Sequence, residues 1–155
     1  MDHPGQKRSL GPALSPKVRR RYEQMMVEDM GPWTEFLRSD SMPLLQVWYN
    51  VHVGQAVEVP DGSPEYMKAH AAAVSRKRID AVGRTANEIW IIEVKPYATM
   101  YAIGQVIVYE VLFRREFEMN MPSRKVIVAA SSDPDILEAA AKYEVKLVNV
   151  GGVDF

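Results

Sequence analysis

The chain has 155 residues, 47% of them hydrophobic, enough for one domain with its own core. A net charge of −1 gives no overall pull toward nucleic acid, so such a surface must rest on local clusters. The absence of cysteine excludes disulfides and thiolate metal sites, and no run is long and apolar enough to span a membrane. No signal-peptide core opens the chain. The expected setting is the cytoplasm, or a particle assembled there, with no membrane partner.

Residues 1–16 are rich in glycine, proline and serine and read as a flexible tail; residues 17–155 read as the single domain. Lys17 to Met30 is predicted as the first helix, with Ser15 as its N-cap, Pro16 in its first position, and Gly31-Pro32 as its stop. Arg19, Arg20 and Arg21 open that helix and Glu28 and Asp29 close it, an order that opposes the helix dipole. The arginines are therefore assigned to a partner, with phosphate the candidate, against the plainer reading of a solvated charged face. Trp33 to Arg38 is a further turn or a short second helix.

Gln46 to Gly54 is a strand rich in β-branched and aromatic residues. Its alternation assigns Val47, Tyr49, Val51 and Val53 to one face, and Trp48, Asn50 and His52 to the other. Pro60 to Pro64 is a loop, and Glu65 to Val74 has helical character. His3, His52 and His70 show no metal-ligand spacing, and His52 reads as a hydrogen-bonded structural histidine.

The stretch from Arg78 to Tyr109 carries the chemistry. Arg78–Arg84 and Ile89–Lys95 are strands separated by the polar gap Thr85-Ala86-Asn87-Glu88. A hairpin centred on the Ala86–Asn87 bond sets Asp80 across from Glu93. Lys95, two residues on from Glu93, shares its face. Two facing carboxylates repel unless a positive charge sits between them. Mg²⁺ suits the pair because it takes a few carboxylate oxygens and keeps its waters. Charges at strand ends are often only solvated edges. Here Ile89 to Ile92 is apolar on both faces, so the strand is central and its charges must be paired or used.

Pro96 is read as the end of that strand. Thr99 to Phe117 is a long helix with Gln105 and Tyr109 on one face. Arg124 to Ala130 is a strand, Ser132 or Asp133 caps a helix reaching about Tyr143, and Val145 to Val150 is the last strand. The alternation predicts an α/β fold with a parallel portion. No glycine-rich phosphate loop is present, which excludes a nucleotide-binding Rossmann unit.

This order of elements, with Asp80, Glu93-Val94-Lys95 and Gln105-Val106-Ile107-Val108-Tyr109, resembles the PD-(D/E)xK nuclease superfamily, in particular its RecB-like branch with a Gln-x-x-x-Tyr element. The motif match lies within Asp80 to Tyr109, and Ile79 stands where many members have proline. The resemblance implies a restriction-endonuclease-like αβββαβ core, a mixed sheet flanked by helices, plus a C-terminal helix and strand. It implies a metal-dependent DNA endonuclease, structure-directed or weakly sequence-selective, using Mg²⁺ with Mn²⁺ able to substitute. Asp80, Glu93 and the carbonyl of Val94 would hold the metal. Lys95 would orient or activate water and stabilise developing charge. Gln105 and Tyr109 would position the lysine or the DNA backbone. Glu23 is the candidate for a further acid from the first helix, with Glu28 and Glu35 as alternatives.

Glu93-Val94-Lys95-Pro96 is also similar to the strand ends of small phage-encoded nucleases. DNA is then the expected partner, and cutting both strands favours a homodimer or higher homo-oligomer. Two other readings compete. One is a non-catalytic structural component of a phage head–tail or neck assembly that retains the fold, bound to other phage assembly proteins. The other is a nucleic-acid-binding module using Arg19, Arg20, Arg21, Arg76, Lys77 and Arg78 without chemistry.

Overall fold

The computed structural model describes residues 5–151; His3 lies outside them. Five strands form one mixed sheet in sequence order: β1 (Gln46–Val53), β2 (Lys77–Arg84), β3 (Ile89–Ala98), β4 (Ser123–Ser132) and β5 (Val145–Asn149). The first three pair antiparallel, and β3, β4 and β5 pair parallel. Helix α1 (Val27–Arg38) covers one face through β3 and β4; α3 (Met100–Glu116) covers the other. Helix α2 (Glu65–Ser75) links β1 to β2, and a 3₁₀ turn (Pro134–Ile136) leads into α4 (Leu137–Lys142) beside β5. This is an α/β fold, a five-stranded mixed sheet flanked by helices.

Strand β3 is the spine. Every residue from Ile89 to Val94 is buried. Trp90, Ile92 and Val94 pack toward Trp33 and Phe36 of α1, while Ile89 and Ile91 pack toward Tyr109 and Phe113 of α3. A strand covered on both faces needs this doubly apolar run. The β2–β3 hairpin has the predicted register, with Arg84 opposite Ile89 and Ala81 opposite Ile92. The Thr85 hydroxyl closes its turn by accepting from the N–H groups of Asn87 and Glu88. Strand β3 does not end at Pro96: it stays paired with β4 through Tyr97 and Ala98, and Pro96 itself is passed over in that ladder. Asp133 supplies the expected cap, accepting from the N–H of Asp135.

The first helix is displaced from its predicted place. Residues 17–26 are irregular, and α1 begins at Val27 and runs through Gly31 and Pro32. A proline inside a helix removes one hydrogen bond and costs about 3 kcal/mol. Here Trp33, Phe36 and Leu37 follow it into the core at 0%, 2% and 7% exposure. Each such burial contributes roughly 1.5–3 kcal/mol, so packing outweighs the break. Trp33 also donates to the Tyr49 hydroxyl at 2.9 Å. In the observed frame Glu28 and Asp29 stand in the first turn and Arg38 in the last, the favourable order for the dipole. Residues 5–16, expected as a tail, have no element of their own but meet the domain at two bridges, Arg8 with Phe117 and Leu14 with Val47.

One further departure positions the site. Burial alternates along β1 as predicted, yet Val47 and Tyr49 join the α1-side core whereas Val51 and Val53 join the α3-side core. Between them Asn50 has φ of 54°, a left-handed conformation that asparagine tolerates and β-branched residues do not. Across the pairing, Ala81 and Ile79 are split in the same way, with Asp80 between them. The sheet is wrenched at the Asn50–Asp80 level, where the β2–β3 ladder ends.

Candidate active site

The site lies where β2 and β3 part. Their last paired rung is Ala81 with Ile92. At the next level the Asp80 side chain replaces a ladder bond, its Oδ2 accepting from the Val94 N–H at 2.9 Å. The carboxyls of Asp80 and Glu93 are neighbours, each bearing on the other's protonation. Lys95 lies beside Glu93, its Nζ 3.5 Å from Glu93 Oε1. The two carboxyls and the lysine that the register sets on one face are thus grouped at this level.

Burial dominates the electrostatics. Glu93 is 3% exposed. Desolvation, then the charge and hydrogen bond of Asp80, push its carboxyl from 4.5 up to about 9, against the opposing pull of Lys95. Asp80 is raised as well, first by burial, with the Val94 N–H, Glu93 and Lys95 holding it down. Without a cation the pair therefore holds a proton near neutral pH. Glu93 Oε2 is buried with no hydrogen-bond partner.

Helix α3 supplies the opposite wall. Gln105 Nε2 donates to the Tyr109 hydroxyl at 3.3 Å. The Tyr109 phenol is pushed up to about 12 by burial and then by Glu93, with Asp80 adding to it. Gln105 Oε1 is likewise buried without a partner.

Of the acids on or next to α1, Asp29 is the buried one, whereas Glu23, Glu28 and Glu35 are exposed. Asp29 is 8% exposed, and its carboxyl is raised to about 6 by burial, then by Asp80, with Lys95 opposing. Those partners place it at the same cluster. Glu23 is exposed on the irregular segment and lies in a recess with Asn50 and His52. Glu28 is exposed, and Glu35 is paired to Arg38 at 3.3 Å. A helix frame beginning at Lys17 gives Asp29 no distinction. A frame beginning at Val27 sets it in the first turn, and its burial is the signal.

The six basic candidates divide. Arg20 and Arg21 are exposed, and Arg19 is half-buried, its Nε without a hydrogen-bond partner. Arg78 stands opposite His52 across β1 and β2. Arg76, Arg78 and Arg8 all bear on the imidazole, whose pKa is lowered by burial first and then by these three, with Glu23 opposing. His52 Nε2 is buried without a hydrogen-bond partner. Arg8, from the N-terminal segment, donates to the His52 carbonyl at 3.1 Å and to Glu116. Lys77 is exposed and borders a groove shared with Gln105 and Tyr109.

Among the described residues no group of three or more His, Cys, Asp or Glu side chains is arranged to hold a metal by itself. A hydrated cation asks for less. Two carboxylates that repel, an unpartnered buried Glu93 oxygen and the Val94 carbonyl fit a metal that retains several waters. No protein-family model, curated protein or solved structure matches the chain.

Proposed function

We propose that this protein is a metal-dependent phosphodiesterase that cuts DNA. The observation that carries the reading is the buried Asp80–Glu93 pair with Lys95 against it, at the point where two central strands part. Opposed buried carboxylates destabilise a fold unless they serve a charge that arrives later. The element order supports it. Helix α1, strands β1, β2 and β3, helix α3 and strand β4 follow the αβββαβ pattern of the PD-(D/E)xK nucleases, with α2 inserted and α4–β5 appended.

Asp80, Glu93 and the Val94 carbonyl would hold Mg²⁺, or Mn²⁺ in its place. When bound, the cation lowers the pKa of a water and screens the phosphate oxygens. Lys95 keeps its ammonium beside Glu93, where it orients the attacking water and faces the negative charge that develops on the phosphoryl oxygens. Tyr109 and Gln105 brace that arrangement from α3. Asp29 adds negative charge on the α1 side and strengthens the demand for a cation. Arg76, Arg78 and Arg8, whose charges all bear on His52, supply positive potential for the DNA backbone.

The test is cleavage of plasmid, linear and branched DNA in Mg²⁺, Mn²⁺ or EDTA, with Lys95→Ala alongside. Metal-dependent cutting that the variant lacks is expected. A folded wild-type protein that cuts none of these substrates would leave the structural-component reading in first place.

A further inference from the structure

On α3, Tyr101, Gln105 and Tyr109 stand one turn apart and share a face. The stripe begins at Tyr109, buried near Glu93, and ends in solvent at Tyr101, whose side is 70% exposed. The Lys95 ammonium lies 5.9 Å from the centre of the Tyr101 ring. Beside the stripe runs a groove of about 870 Å³, with Met100, Val108 and Lys77 on its walls. Its floor passes Gly104, where an added Cβ would meet nothing within 4 Å. Glycine weakens a helix interior, so α3 gives up local stability to leave this space. Tyr97, two residues past Lys95 on β3, is also half exposed.

An aromatic face and an apolar groove beside a lysine match an unpaired nucleotide better than a duplex. Bases inside a duplex are stacked on one another and turn only their edges outward. An unpaired base offers a π-face to an aromatic ring while its phosphate meets a cation. Lys77 and the carboxylate of Asp133 line this groove, and Lys95 lies beside the Tyr101 ring that also lines it.

We propose that the α3 groove is a seat for single-stranded DNA, with an unpaired base stacked on Tyr101 and its phosphate toward Lys95. The proposal rests on the phosphodiesterase reading and names its substrate class: frayed ends, flaps or single strands. Tyr101 is here a specificity residue.

The experiment is fluorescence anisotropy of labelled oligo-dT and of a hairpin duplex, in EDTA, where metal-dependent cleavage does not intervene. Wild type is compared with Tyr101→Leu, Gly104→Leu and Tyr101→Phe, each checked for native circular dichroism. Both positions are open, so the variants should fold. Loss of one stacked base weakens binding about 5- to 150-fold. That loss is expected for oligo-dT with Tyr101→Leu and Gly104→Leu, with wild-type affinity kept by Tyr101→Phe and duplex binding unmoved. Unchanged oligo-dT affinity in both leucine variants, or equal losses on duplex and single strand, would overturn the proposal. If binding fails this test while metal-dependent cutting persists, the phosphodiesterase reading stands and the seat falls. If the seat is found and nothing is cut, the reverse holds.

Discussion

Removing the charge of Glu93 should stabilise the metal-free protein at alkaline pH. Glu93 is held at about 9 against 4.5 for the free side chain, chiefly by burial and by Asp80. Because the folded-state value is raised, the folded protein keeps a proton that the unfolded chain releases. Its stabilising effect is complete below 4.5 and is lost as pH rises toward about 9. One such proton gives a slope of about 1.4 kcal/mol per pH unit. Between about pH 7.5 and 8.5, above the ranges where Asp29 and His52 change charge, wild type should lose about 1 kcal/mol. For a chain of this size that lowers Tm by roughly 2–4 °C. Thermal unfolding in EDTA reads it directly. Glu93→Gln should flatten the slope and melt above wild type at the upper pH. Mg²⁺ in place of EDTA should raise the wild-type Tm, more so at the upper pH, because cation and proton compete for the same oxygens. Parallel pH profiles for wild type and Glu93→Gln would refute the paired-carboxylate account.

Five further substitutions test how the fold delivers the site. Asp29→Asn should lower cleavage by at least tenfold with the fold intact, whereas Glu23→Gln should cut as wild type does; the reverse ranking would return the first-helix role to Glu23. Gly83→Ala places a Cβ 2.5 Å from Leu44 Cδ2 in the α1-side core, so urea unfolding should show a loss of about 1–3 kcal/mol. Asn50→Val forces a β-branched residue into a left-handed conformation and should cost about 1–2 kcal/mol, while Asn50→Gly should stay close to wild type; equal effects would mean that the wrench at this level is not set by residue 50.

The parts legible in the sequence are those specified locally. The Ala86–Asn87 centre fixes the hairpin register, and with it the meeting of Asp80 and Glu93. The double-faced apolar run Ile89–Ile92 reads as a central strand, and Lys95 follows Glu93 by alternation. The four-residue spacing of Gln105 and Tyr109 needs only a helix. What was missed depends on tertiary packing. Pro32 reads as a stop, and only the burial of Trp33, Phe36 and Leu37 carries a helix across it. That frame shift hides Asp29 and promotes Glu23. Asn50 gives no local sign that β1 crosses from one core to the other, because both halves keep the same alternation. Pro96 ends pairing with neither strand direction nor β4, since β2 has already left and that edge needs no donor.

The most direct test is a Mn²⁺ titration followed by electron paramagnetic resonance, with plasmid cleavage measured on the same samples. Wild type should bind Mn²⁺ and nick DNA. Lys95→Ala should bind the ion without nicking. Asp80→Asn and Glu93→Gln should lose both. Binding of Mn²⁺ by folded Asp80→Asn and Glu93→Gln at wild-type affinity would contradict the assignment of a metal to this pair.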